Sequence, residues 1–290
     1  MQNTLTISPP PAVVDANSSR RMSIRAAAGV IALGLLWFVL CRHLSGEWSA
    51  NEQYSYGWFV PFFAAYLFWL RWEDRPEGER LSANGSRLRG DEAGAVLPIN
   101  HSRLTNNVSR FLLFTFYFLL LAALLPLRLF EVGNPDWRPL GWVHAVIVVG
   151  ITLAVIWQIG GTRWLKHFAF PVCFIFVAVP WVTPIEAPIV QGLMTTVAAV
   201  ATETLQLFGI PAQLQGSLIR VSTGLVGVNE ACSGVRSLQT SLMIGLLFGE
   251  LKRLSVPRRV ALVIGALAIA LLANFARAFT LVWISATQTP

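Results

Sequence analysis

The sequence predicts an all-α polytopic membrane protein of about seven transmembrane helices, with an outer-face interfacial helix and a short β-hairpin just before a cysteine-containing motif. Three observations predict it. Hydrophobic residues make up 54% of the 290-residue chain and charged residues only 13%, against about a quarter charged in soluble domains; mean hydropathy is +0.58. The apolar residues gather in runs long enough to cross a bilayer, separated by short arginine-rich segments. One stretch, 209–228, breaks this pattern with glycines and alternating apolar residues.

Residues 1–22 read as a disordered, basic cytoplasmic tail, rich in Pro, Ser and Asn at its start. The remainder, 23–290, reads as one transmembrane domain, with a cytoplasmic loop at 71–110 and a core carrying the chemistry at 168–286. Apolar runs place spans at 26–41, 54–70, 111–125, 141–159 and 168–181. A small basic loop with Arg163 and Lys166 separates the last two. Putting the N-terminus inside and alternating leaves sixteen of the 22 Lys and Arg on the inner side, as the positive-inside rule requires. The net charge of +7 is therefore spent on topology and does not form a nucleic-acid patch.

The run 189–208 is long enough to cross, yet it carries Gln191, Thr195, Thr196, Thr202, Glu203, Thr204 and Gln206. It is expected to lie in the outer interface. Leu218–Val221 and Leu225–Val228 flank Ser222-Thr223-Gly224, which predicts a hairpin. Such backbone is tolerated only outside the hydrocarbon or buried in protein. The next helix starts near Cys232 and runs inward to Lys252, roughly 30 Å at 1.5 Å per residue. The last starts near Arg259 and returns, so Arg277 lies roughly 27 Å on. Cys232 and Arg277 are expected at nearly one depth, close to the outer surface.

That pairing carries chemistry. A cysteine at a helix N-terminus near a cation is biased toward thiolate. Ser233 and Gly234 leave room for a peptide. Arg236 can share the face of Cys232, and Asn274 shares the face of Arg277. Arg277 has five donors, suited to a thiolate or an oxyanion. Glu230 is the carboxylate nearest the thiol. Residue by residue, blander readings stay open: a single cysteine packs, Arg277 and Arg236 snorkel to headgroups, and Glu230 is solvated or ion-paired. Cys41 and Cys173 sit inside apolar runs as packing residues. No spacing suits a metal or a cofactor.

Ala231-Cys232-Ser233-Gly234 followed by Asn274-x-x-Arg277 resembles the exosortase/archaeosortase family of multi-pass membrane cysteine transpeptidases. Phe170-Pro171, Pro180 and Pro184 resemble its Pro-punctuated helix, and Phe208-Gly209-Ile210-Pro211 its Leu-Gly-Ile-Pro turn. Tyr54-Ser55-Tyr56-Gly57-Trp58 resembles an early Tyr-Ser-His-Gly stretch, with Tyr56 in place of His. The resemblance runs from about Tyr54 to Ser285. It implies a plasma-membrane enzyme with its site on the outer face, no cofactor and no metal. It also implies cleavage of PEP-CTERM-like C-terminal signals (a short motif, a transmembrane helix and a basic tail) on exported proteins. Cys232 would form a thioester resolved by an amine or by water, and Arg277 would hold the oxyanion. The partners are those C-terminal tails and membrane lipids. The family has a further basic residue, usually His, in a helix after Asn-x-x-Arg, which is not found before Pro290. A truncated, inactive member is one expectation, and substitution by His144 or Glu230 is another. A transporter-like protein is the alternative from a different class; it predicts internal repeats, and none is visible.

Overall fold

The computed structural model describes residues 16–76, 101–134, 137–227 and 234–287, with side chains outside 16–26 and 101–114. Seven α-helices appear in chain order: α1 Ala16–Ala50, α2 Val60–Glu73, α3 His101–Gly133, α4 Pro139–Cys173, α5 Thr183–Leu207, α6 Val235–Leu251 and α7 Val256–Thr287. A 3-10 helix, Glu52–Phe59, precedes α2, and Phe174–Ala178 continues α4. Between α5 and α6 lies a three-stranded antiparallel sheet: β1 Ala212–Gln215, β2 Leu218–Val221 and β3 Gly224–Gly227, in that order. Leu40 opens the compact unit that carries all the features below. The earlier part of α1, Ala16–Val39, belongs to a separate unit and exposes Val30, Ile31, Leu35 and Phe38.

Five helical segments among the described residues are long and apolar enough to cross a membrane: 27–50, 115–133, 139–178, 183–207 and 256–287. The expected number of about seven is not reached on this measure. Two of the expected spans are short helices, α2 with 14 residues and α6 with 17, against about 20 for a bilayer core. Two others fall in one segment, 139–178. That segment is not straight. Trp142 and Phe176 stack with ring centroids 5.8 Å apart, whereas 34 residues of continuous helix would separate them by about 51 Å. The chain reverses at Gly161, whose φ of 69° and ψ of −161° suit glycine and almost no other residue. No basic loop is needed there: Arg163 and Lys166, expected in a loop, open the second helical arm.

Other boundaries moved for a common reason, that a helix continues past the apolar run that nucleates it. α1 starts at Ala16, inside the stretch read as disordered, and ends at Ala50; residues 1–15 lie outside the described residues. α3 starts ten residues before its apolar run, at His101. Part of the expected polar loop, 77–100, lies outside the described residues. The hairpin is present as β2–β3 and gains a third strand, β1, whose Ala212–Gln215 pair with Val221–Leu218.

The segment after Tyr54 runs antiparallel to the second arm of α4. Tyr56 Oη donates to the Val177 carbonyl at 2.9 Å, Phe68 meets Phe168 at 4.8 Å, and His167 Nε2 lies 2.8 Å from the Arg71 carbonyl oxygen. At that last end sits a buried carboxylate, Glu250. It takes Arg71 Nε at 2.8 Å and Arg259 at 2.7 Å, which ties together the ends of α2, α6 and α7. Asp74 accepts from Arg253 nearby; that hydrogen bond and the cation's charge hold its carboxyl below the usual range. This exposed pair therefore contributes a little stability at neutral pH and loses it as pH falls through the lowered value.

Glu250 is different, because it is only 4% exposed. Glu250→Ala strands two guanidiniums without their partner, which costs about 3 kcal/mol. The expected result is a clear drop in the thermal midpoint of the detergent-solubilised protein, with Glu250→Gln losing less. An unchanged midpoint in Glu250→Ala would show that the network does not hold the helix ends.

Candidate functional site

The site is built on the antiparallel pair α6 and α7, joined by a four-residue turn. Its register is steady along its length. A side chain built at Gly249 would meet Arg259, one at Gly245 would meet Val263, and one at Gly234 would meet Asn274. Fifteen residues separate the first and last of these points on both helices. The start of α6 at Gly234 thus lies against Asn274, while Cys232, expected at the depth of Arg277, lies outside the described residues.

Gly234 is the N-cap of α6 with φ of 82°, ψ of 3° and no side-chain cap. Its carbonyl accepts the first helical bond from Leu238 at 3.0 Å and also Ser237 Oγ at 2.8 Å. The left-handed conformation disfavours any Cβ by about 1–2 kcal/mol. A Cβ there would also sit 2.6 Å from the Asn274 amide. Gly234→Ala is therefore expected to push Asn274 aside and to lower the thermal midpoint of the detergent-solubilised protein, with membrane insertion retained. An unchanged midpoint in Gly234→Ala would show that this close approach is dispensable.

Asn274 is buried and Arg277 exposed, one turn further along α7. Both line a cavity of about 580 Å³ that also contains Gly234, Arg236, Ser237 and Thr240 of α6. Ser241 of α6 and Asn51, Glu52 and Gln53, at the start of the 3-10 helix, complete its wall. Among the described residues the Arg277 guanidinium makes no hydrogen bond or ion pair. Arg236 does: it reaches Glu52 at 3.3 Å and Ser55 Oγ at 3.2 Å. Arg236 is therefore drawn toward the wall, while Arg277 is left available to a ligand. Cys232, Ser233 and Glu230 lie outside the described residues.

His144 is placed elsewhere. It is 1% exposed, with Nδ1 2.7 Å from Glu131 Oε1 and its ring stacked on His43 at 5.8 Å. Arg128 completes that cluster at 2.5 Å from Glu131. His144 does not line the cavity of Arg277. Among the described lining residues Glu52 is the one carboxylate, and no histidine joins it. Glu52 is 92% exposed at its side chain. Among the described residues no group of three or more His, Cys, Asp or Glu could hold a metal ion. Cys41 and Cys173 are free.

The sequence reading missed the wall. Asn51 caps the 3-10 helix by accepting from Gln53 N–H at 3.0 Å. Gln53 Nε2 then donates to Glu186 at 2.5 Å, as does Tyr54 Oη at 2.7 Å. Arg138 closes the network on the other oxygen of Glu186. These contacts span 48 to 133 residues of sequence, so no local pattern shows them. Glu186, a carboxylate between two prolines at the start of an apolar run, was the one visible signal.

A family model described as transmembrane exosortase matches residues 48–290. No curated protein and no solved structure matches the chain.

Proposed function

The chain belongs to the transmembrane exosortase family, and we propose that within it this protein is a cysteine protease or transpeptidase cleaving PEP-CTERM-like C-terminal signals. The single observation that supports this most is the contact of Gly234, from the Ala231-Cys232-Ser233-Gly234 motif, with Asn274, in a cavity that Arg277 shares. In this reading the Cys232 thiolate attacks the scissile carbonyl carbon. The oxyanion that forms is held by the planar donors of Arg277. The C–N bond then breaks, and the departing amine takes up a proton. The resulting thioester passes its acyl group to an amine, or to water, and the thiol is restored. Asn274 positions the start of α6, and Arg236 with Glu52 forms the rim. His144 has no role assigned by contact, and Glu230 and Ser233 lie outside the described residues.

The site is proposed to face outward from the plasma membrane, with the N-terminus and the 71–110 loop inside. The charge distribution supports this, and so does packing. α6 covers α7 from Arg259 to Asn274, whereas α5 and the sheet cover the part beyond: Val197, Ala198, Ala201 and Leu205 pack with Ile219, Ala278 and Val282. α5 is long enough to cross, yet it lies along the stretch of α7 past the end of α6, as an outer-face helix would. A membrane-impermeant thiol reagent, applied to intact cells in a Cys41→Ser, Cys173→Ser background, is expected to label Cys232. Labelling only after permeabilisation would reverse the orientation.

The enzyme reading is tested by trapping the acyl-enzyme. A tagged substrate is incubated with the purified protein and quenched in acid. The expected product is a covalent adduct on the Cys232 peptide that hydroxylamine releases. Turnover without an adduct that hydroxylamine cleaves would sink the thioester step. Absence of both turnover and adduct would favour an inactive member of the family.

A further inference from the structure

The sheet has two outer edges, and they are treated differently. Val221 pairs with Gly224 across the two-residue turn Ser222-Thr223, and Gln215 with Leu218 across Gly216-Ser217. In antiparallel pairs closed this way, hydrogen-bonded and non-bonded positions alternate outward from the turn. Ala212 and Leu214 therefore turn their backbone groups to the free side of β1, and Leu225 and Gly227 to the free side of β3. On the β1 side the Ala212 carbonyl is met by Gln206 Nε2 of α5 at 2.8 Å. On the β3 side no described group hydrogen-bonds the outward backbone of Leu225 or Gly227. The strand is uncharged, without Lys or Pro to discourage pairing, and Leu225 is 55% exposed.

Its position adds to this. Gly227 is five residues before Cys232 in the chain, at most about 17 Å of extended backbone. The unpaired groups of β3 repeat as donor and acceptor along a line, which is the pattern another extended backbone matches. We propose that the free edge of β3 binds the extended segment of the substrate that precedes the scissile bond, adding it to the sheet as a fourth strand. The affinity comes from main-chain hydrogen bonds at Leu225 and Gly227, so this subsite is tolerant of side-chain identity. The inference rests on the processing reading above, and its test separates the two.

The probe is a set of synthetic peptides of the PEP-CTERM type, each carrying one N-methylated residue upstream of the motif. Binding is measured on the full-length Cys232→Ala protein in detergent, and turnover on the wild type. N-methylation is expected to weaken binding by roughly five- to tenfold at alternate residues and to leave the residues between them unaffected. Leu225→Pro removes only the outward N–H of β3 and is expected to cause the same loss, whereas Leu225→Ala binds within about twofold of the parent. Uniform insensitivity to N-methylation, or no peptide binding at all, would overturn the edge pairing. The peptide scan decides this even if Leu225→Pro fails to fold. Alternating sensitivity without wild-type turnover would support the edge and sink the enzyme reading. Loss of self-association in Leu225→Pro, with peptide binding intact, would assign the edge to a second copy of the chain and overturn the proposal.

Discussion

On the proposed mechanism, replacing Cys232 by alanine is expected to lower processing of a tagged C-terminal signal by at least about a thousandfold, because Cys232 is its nucleophile. The protein still accumulates in the membrane, since a thiol exchanged for a methyl-sized group costs little in a segment rich in small residues. Cys232→Ser is expected to be nearly as inactive, because a hydroxyl is scarcely ionised near neutral pH while a thiol ionises far more readily. The measurement is the rate of loss of the substrate's C-terminal tail, with membrane abundance followed in parallel. Near-wild-type processing by Cys232→Ala would remove the cysteine from the mechanism, whatever the family assignment.

The second large effect is at Arg277. Arg277→Ala and Arg277→Lys are both expected to lose about a hundredfold or more in turnover, the scale of removing an oxyanion donor. A lysine keeps the charge but not the planar fork. The structure makes this test informative, because Arg277 has no partner among the described residues that could account for its presence as an ion pair. It is also exposed, so the competing role is that of a headgroup anchor, and an anchor tolerates lysine. Full activity in Arg277→Lys would therefore favour the anchor. Arg236→Lys is predicted to be mild by comparison, since its contacts are a 3.3 Å ion pair with an exposed carboxylate and one hydroxyl.

Much of this site was legible in the sequence because membrane helices convert residue number into depth. The rise per residue put Cys232 level with Arg277; Cys232 lies outside the described residues, and Gly234, two residues on, lies against Asn274. Apolar runs likewise located α2, α3, both arms of α4, α6 and α7. What hydropathy does not carry is the direction of the chain between runs. The reversal at Gly161 is a property of one residue's φ and ψ, and it removed a loop that polar residues suggested. Lateral partners were equally hidden. Which helix lies beside which depends on pairs such as Gln53 with Glu186 or Arg71 with Glu250, more than a hundred residues apart. The surroundings of His144 were hidden for the same reason: the sequence shows a histidine near a helix start, and only the fold shows Glu131 closing over it.

One helix, α7, holds three things at once. Arg259 fastens it to Glu250, Asn274 and Arg277 present it to the cavity, and Ala278, Val282 and the Ser285 carbonyl, which accepts from Thr223 at 2.7 Å, attach the sheet. Each residue added to a helix advances it by 1.5 Å and turns it by about 100°. A single insertion between Arg259 and Asn274 would thus swing the cavity residues and the sheet attachment off the face they share with α6, whatever amino acid was inserted. The spacing along α7 therefore constrains the site more tightly than the identity of most side chains that fill it: a substitution leaves the shared face in place, whereas an insertion or deletion rotates it away.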